Sequence, residues 1–140
     1  MHVQPYLYFN GRCEEAIEFY QGKLGAIGVQ IMRFKESPVP PQPGMVPPGS
    51  DNKVMHAHFS IGDTQIMASD GNCGGNAKFE GVSLTINAES EADADRLFAA
   101  LSAGGQVQMP LTETFFSPRF GMVADKFGVS WMVIVPRPQP

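Results

Sequence analysis

Tyr6–Leu24 reads YLYFNGRCEEAIEFYQGKL, and Val82–Leu101 reads VSLTINAESEADADRLFAAL. Both are a short run of strand formers, a turn, and an amphipathic helix. In the first, aromatic and bulky apolar residues over Val3–Phe9 predict a strand. Asn10-Gly11 is turn chemistry. Apolar residues at Cys13, Ala16, Ile17, Tyr20 and Leu24 then recur every three or four positions, which predicts a helix with one buried stripe. In the second, Ser90 opens the helix as a cap, and Ala94, Leu97, Phe98 and Leu101 form the stripe. A glycine-containing turn follows each helix. Strands then begin at Gly28-Val29-Gln30-Ile31-Met32 and at Gln106-Val107-Gln108-Met109. One pattern written twice predicts two small α/β modules, with a site between them.

Further strands are expected at Ile27–Lys35, Lys53–Ser60 and Thr64–Ser69 in the first half. In the second they fall at Gly81–Ile86, Gln106–Leu111, Met122–Asp125 and Val129–Val135. Each half thus reads β-α-β-β-β, an α+β arrangement without the strand–helix alternation of a parallel doubly wound sheet. The modules span about residues 1–72 and 78–136, joined by the polar, Gly-rich stretch Asp70–Ala77. Ser37–Ser50 holds six of the twelve prolines, so it is neither helix nor central strand. It reads as a surface loop or as a flap over a pocket.

The 140 residues suffice for one domain with a real core. Hydrophobic residues make up 43% and charged residues 17%, a folded rather than disordered composition. A net charge of −4 with scattered Lys and Arg speaks against a nucleic-acid footprint. No apolar run approaches the ~20 residues of a membrane span, and the N-terminus shows no secretory signal. A cytoplasmic protein is expected, with Cys13 and Cys73 as reduced thiols.

Three stretches carry a family resemblance: YLYFNGRCEEAIEFYQGKLGA, VMHAHFSIGDTQIMASD and ETFFSPRFGMVADKFGVSWMV. Together they resemble the PhnB-like branch of the vicinal-oxygen-chelate superfamily, which includes glyoxalase I, bleomycin-resistance proteins and extradiol dioxygenases. The resemblance implies paired βαβββ modules with curled mixed sheets around a central cavity, and a homodimer. It also implies four metal-ligand positions on the first and last strands of the modules. These align with Pro5, about Met67, about Gly81 and about Met132. Pro and Gly offer no donor, and a Met thioether is a poor ligand for Zn²⁺, Fe²⁺ or Mn²⁺. No metal cofactor is therefore expected at those positions.

Two groups of side chains could still act. His56 and His58 lie two apart on a strand and share a face. They read as hydrogen-bonded, partly buried histidines, as substrate-facing groups, or as part of a metal site. Glu113, Phe116, Arg119, Phe120 and Trp131 mix aromatic walls with one carboxylate and one guanidinium. They read as core and solvated charge, or as the lining of a site for a small planar or anionic ligand. Asp63, Asp70 and Asp125 read as turn residues.

Two functions compete on this basis. One is binding of a small molecule in a metal-free cavity between the modules, with no turnover required. The other is a metal-dependent glyoxalase, dioxygenase or thiol-transferase chemistry at a shifted site built on His56 and His58. A methyltransferase would need a nucleotide-cofactor loop, and no Gly-rich strand-to-helix turn is present.

Overall fold

A computed structural model describes residues 1–39 and 44–137. The middle of the expected Pro-rich loop (residues 40–43) and the last three residues of the tail lie outside the described residues. The chain divides into two compact units, Met1–Ala77 and Lys78–Pro140.

The first unit runs β1 (Tyr6–Tyr8), α1 (Cys13–Leu24), β2 (Ile27–Arg33), a 3-10 turn (Phe34–Glu36), β3 (Val54–Ile61) and β4 (Thr64–Ser69). Its sheet has the order β1-β4-β3-β2, with β1 parallel to β4 and the other pairs antiparallel. The second unit runs β5 (Leu84–Asn87), α2 (Glu91–Ser102), β6 (Gln106–Thr114), β7 (Ser117–Ala124) and β8 (Ser130–Ile134). Its sheet has the order β5-β8-β7-β6, with β5 parallel to β8. The two topologies are identical, so the repeat is structural as well as sequential. The class is α+β, and each unit is a βαβββ module.

Each helix lies on one face of its sheet and buries the stripe that its spacing predicts, except for Leu24, which is half-buried. In α1 the buried residues are Cys13, Ala16, Ile17 and Tyr20. Tyr20 stacks on Phe59 of β3 at 6.1 Å between centroids. Ala16, Ala57 and Ala68 are fully buried, so small side chains separate helix from sheet. In α2 the buried residues are Ala94, Leu97, Phe98 and Leu101. Large apolar side chains buried this completely each contribute roughly 1.5–3 kcal/mol.

The helix ends follow from the sequence. Gly25 closes α1 in the left-handed region at φ 70°, and its N–H donates to the Tyr20 carbonyl. The Ser90 hydroxyl accepts from the Asp93 N–H at the start of α2. The start of α1 is capped from far away in sequence. Asp70 accepts from the N–H groups of Gly11 and Cys13 through one oxygen and of Val54 through the other, each at 2.8 Å. It is 1% exposed. One carboxylate thus joins the helix start, β3 and the end of β4. The stretch after it also folds onto the first module, since Gly75 N–H donates to the Asn10 carbonyl and Asn10 Nδ2 donates to that of Asn76.

Several boundaries differ from expectation. β1 is only Tyr6–Tyr8; Pro5 before it has no N–H to give to the ladder, and Val3 is exposed. β5 starts at Leu84 rather than Gly81. The largest difference is ETFFSPRFG, which is a hairpin. β6 runs on to Thr114, and β7 starts at Ser117 around a tip formed by Phe115 and Phe116. The expected strands end at Leu111 and resume at Met122, so both arms of the hairpin run closer to its tip than expected. Pro110 is tolerated because β6 is an edge strand.

Candidate functional site

Cross-strand partners project to the same face of a sheet. In the first module Tyr6 pairs with Met67, Met67 with His58, and His56 with Met32. These side chains therefore share the face opposite α1, while Phe59 packs against the helix. Tyr8 lies on the same helix-free face, two residues beyond Tyr6 on β1.

Hydrogen bonds order this face. The Tyr6 hydroxyl lies 3.0 Å from His56 Nδ1. Gln65 Nε2 lies 3.3 Å from His58 Nδ1, and Gln4 Nε2 donates to Gln65 Oε1 at 2.9 Å. The rings of Tyr6 and Tyr8 stack at 4.9 Å with 29° between planes. The His56 and His58 rings are 6.3 Å apart. Burial raises the pKa of the Tyr6 phenol, Tyr8 adds to this, and the Ser69 hydroxyl opposes it. The phenol is thus a neutral donor at physiological pH.

His56 and His58 are half-buried and sit together on this face. Tyr6 was not among the expected site residues. The signal was the alternation Tyr6-Leu7-Tyr8, in which Leu7 is buried and the two phenols project to the other side.

The second group does not converge. Phe120 pairs with Ile134, and Met122 with Met132, on the helix-free face of the second sheet. Phe116 packs edge-on against Phe120 at 5.0 Å, and Phe115 extends the cluster while 94% exposed. Arg119 projects to the opposite side of β7, where its guanidinium meets Asp95 at 3.2 Å and Glu91 at 4.0 Å on α2. Glu113 is exposed and meets Arg137 at 3.5 Å. Trp131 is buried, and its Nε1–H donates to Asp125 at 2.9 Å. The expected carboxylate, guanidinium and indole therefore stand apart from the two phenylalanines.

A hollow of about 310 Å³ lies at the start of α1, lined by Gly11, Glu14, Lys53 and Asp70 among others. Its charged groups are engaged by the fold. Lys53 donates to the Gly11 carbonyl, Glu14 binds Arg33, and Asp70 holds three backbone donors. Cys13, beside it, is fully buried, and burial with the nearby Asp70 and Glu14 carboxylates pushes its thiol pKa well up. It is no nucleophile.

Residues 1–134 match the family model described as 3-demethylubiquinone-9 3-methyltransferase. Protein YjdN of Escherichia coli K12 is 37% identical over 145 residues, covering 100% of this chain and 99% of the relative. The crystal structure of PA1353 from Pseudomonas aeruginosa is similar at 38% identity and TM-score 0.82, covering 99% of both chains. A Bacillus cereus structure described as a putative 3-demethylubiquinone-9 3-methyltransferase, PhnB protein, is similar at 29% identity and TM-score 0.78. It covers 96% of this chain and 99% of its own. The chain belongs to the PhnB-like family of the vicinal-oxygen-chelate superfamily. At 12% identity and TM-score 0.65, the fosfomycin resistance protein FosX of Listeria monocytogenes shares the fold, covering 98% of this chain and 93% of its own.

The strand pairing places the expected ligand positions in this PhnB-like chain. Pro5 precedes β1, and its carbonyl accepts from Met67 N–H. Gly81 lies outside β5. The side chains facing each other across the parallel pairs are Tyr6 with Met67 and Thr85 with Met132. Neither the phenol–thioether pair of the first sheet nor the hydroxyl–thioether pair of the second is a donor set suited to Zn²⁺, Fe²⁺ or Mn²⁺. Thr85 Oγ1 instead lies 3.9 Å from Met132 Sδ. Among the described residues no three His, Cys, Asp or Glu side chains are grouped so that they could hold a metal ion. No helix among them is long and apolar enough to cross a membrane.

Proposed function

We propose that this protein binds a small planar or anionic molecule, without a metal, in the cavity that its family resemblance implies. The helix-free face of the first sheet makes the polar contacts. The observation that carries this reading is the convergence of Tyr6, Tyr8, His56 and His58 on one face, with Nδ1 of each imidazole already engaged. Flat rings beside a few oriented donors are what a small-ligand site requires. The aromatic cluster of Phe116 and Phe120 lies on the helix-free face of the second module's own sheet. A cytoplasmic homodimer belongs to the same reading, and its mass in solution can be read by light scattering.

The family model's description names a methyl transfer. A nucleotide-type methyl donor is ordinarily held by a Gly-rich turn between strand and helix. Here the Gly-rich stretch after β4 leads to the strand β5, with no helix in between. Binding is therefore the reading preferred over methyl transfer.

A thermal-shift screen of small acids, amides and amines tests the proposal. A ligand present at a hundredfold excess over its Kd stabilises the fold by about 2.7 kcal/mol, a rise of several degrees. That rise should be lost in His58→Ala. Stoichiometric, tightly held Zn²⁺ or Fe²⁺ in the purified protein would sink the metal-free reading. Calorimetric binding of S-adenosylmethionine would restore the methyl-transfer one.

A further inference from the structure

Resting on that reading, we propose that the helix-free face of β1 and β3 selects a small aromatic carboxylate. Both imidazoles are locked there as Nε2–H donors.

The lock at His58 follows from a relay of three side chains. Gln4 Nε2 donates to Gln65 Oε1, which occupies the amide oxygen and turns the Gln65 NH₂ towards His58 Nδ1. An amide NH₂ only donates, so Nδ1 must accept and carries no proton. A neutral His58 then holds its proton on Nε2. The lock at His56 follows from relative basicity. An imidazole nitrogen is a far stronger base than a neutral phenol oxygen. The Tyr6 O–H therefore donates to His56 Nδ1 across their 3.0 Å contact. His56 too is left with Nε2–H.

The face thus offers two N–H donors from residues two apart on one strand, and no imidazole acceptor. Such a pair suits the two oxygens of a carboxylate. Tyr6 and Tyr8, stacked at 4.9 Å, supply the flat surface for an attached ring. No fixed cation is needed. Arg33 binds Glu14, and Lys53 donates to Gly11, both away from this face. The same relay opposes a divalent metal. A metal on Nε2 of His58 would move the proton to Nδ1, against the Gln65 NH₂, and force the Gln4–Gln65 pair to turn over.

The test uses the full-length ¹⁵N-labelled protein, with benzoate and benzylamine as probes. Long-range ¹H–¹⁵N correlation reads which nitrogen of each ring is protonated, and His2, exposed at the N-terminus, serves as internal control. His56 and His58 should both show the Nε2–H pattern. Benzoate should shift both Nε2 signals and raise the Tm, whereas benzylamine should do neither. Tyr6→Phe should weaken benzoate roughly tenfold and release only His56 into a tautomer mixture. Gln65→Leu should release only His58. An Nδ1–H pattern at either ring in the unaltered protein overturns the inference, as does benzylamine binding as tightly as benzoate, or no response to millimolar benzoate. Each of these leaves the broader binding reading to the ligand screen, which fails separately if no compound class raises the Tm.

Discussion

Trp131 Nε1 donates to Asp125 Oδ2 across 2.9 Å, and both residues are only 3% exposed. The other oxygen of Asp125 accepts from the N–H groups of Phe127 and Val129. One carboxylate therefore closes the β7–β8 turn and pins the indole beneath α2. Asp125→Ala leaves three buried donors without their acceptor and should cost roughly 3–5 kcal/mol. Trp131→Phe keeps a ring but loses a charge-assisted bond, for roughly 2–4 kcal/mol. Urea midpoints at unchanged m would measure both. Losses below about 1 kcal/mol would remove the anchoring role.

Two glycines should respond in opposite directions. A Cβ on Gly121 would lie 2.7 Å from Phe98 Cε2 and 3.1 Å from Leu111, inside the contact between α2 and its sheet. Gly121→Ala should therefore destabilise by roughly 1–3 kcal/mol. Gly22 lies in the interior of α1 with open space where its Cβ would stand. Gly22→Ala should stabilise by roughly 0.5–1 kcal/mol, since alanine restricts the unfolded chain and favours helix. Melting curves of both variants check the pair, and a gain at Gly121 would contradict the packing described.

The repeat was legible because helix periodicity survives in a single sequence. The stripes Cys13-Ala16-Ile17-Tyr20 and Ala94-Leu97-Phe98-Leu101 are each buried as their spacing implies. Strand ends were less legible, since pairing partners decide them. Val3 and Val82 have strand-forming side chains but stay exposed, outside any strand. The site was legible only in part. Alternation alone places His56 and His58 on one face. The side of β7 that Arg119 occupies depends on where that strand begins, and the expected strand began only at Met122, beyond Arg119. Alternation sets the face of Tyr6, but its place beside Met67 comes from the parallel register of β1 on β4, which no local pattern encodes.

The two cysteines should differ sharply in reactivity. Cys13 is fully buried, and burial together with Asp70 and Glu14 raises its thiol pKa far above the ordinary value. Cys73 is half-buried, in the stretch after β4. At pH 8, iodoacetamide should label Cys73 in the native protein and Cys13 only after unfolding, as read by peptide mass spectrometry. A raised folded pKa also means that the unfolded chain releases this proton first. Stability contributed by Cys13 is therefore intact below the unfolded thiol value of about 8.5 and lost progressively above it. Cys13→Ala should flatten that alkaline decline. Rapid native labelling of Cys13 would show that the start of α1 opens readily.

Glu14 and Arg33 give the acid-side counterpart. Arg33 binds both Glu14 oxygens, at 3.1 and 2.7 Å, and also donates to the Asn52 carbonyl. Its guanidinium holds the Glu14 carboxyl below the usual range, chiefly through the hydrogen bonds. A depressed folded pKa makes the pair stabilising above the unfolded carboxylate value, about 4.3 for glutamate, and that contribution fades as pH falls through the folded value. Glu14→Gln should thus lower the Tm slightly at pH 7, and the two proteins should converge in acid. With Glu14 46% and Arg33 27% exposed, solvent screens the pair and the difference should shrink in molar salt. A gap that persists at pH 2.5 would mean that Glu14 acts by packing rather than by charge.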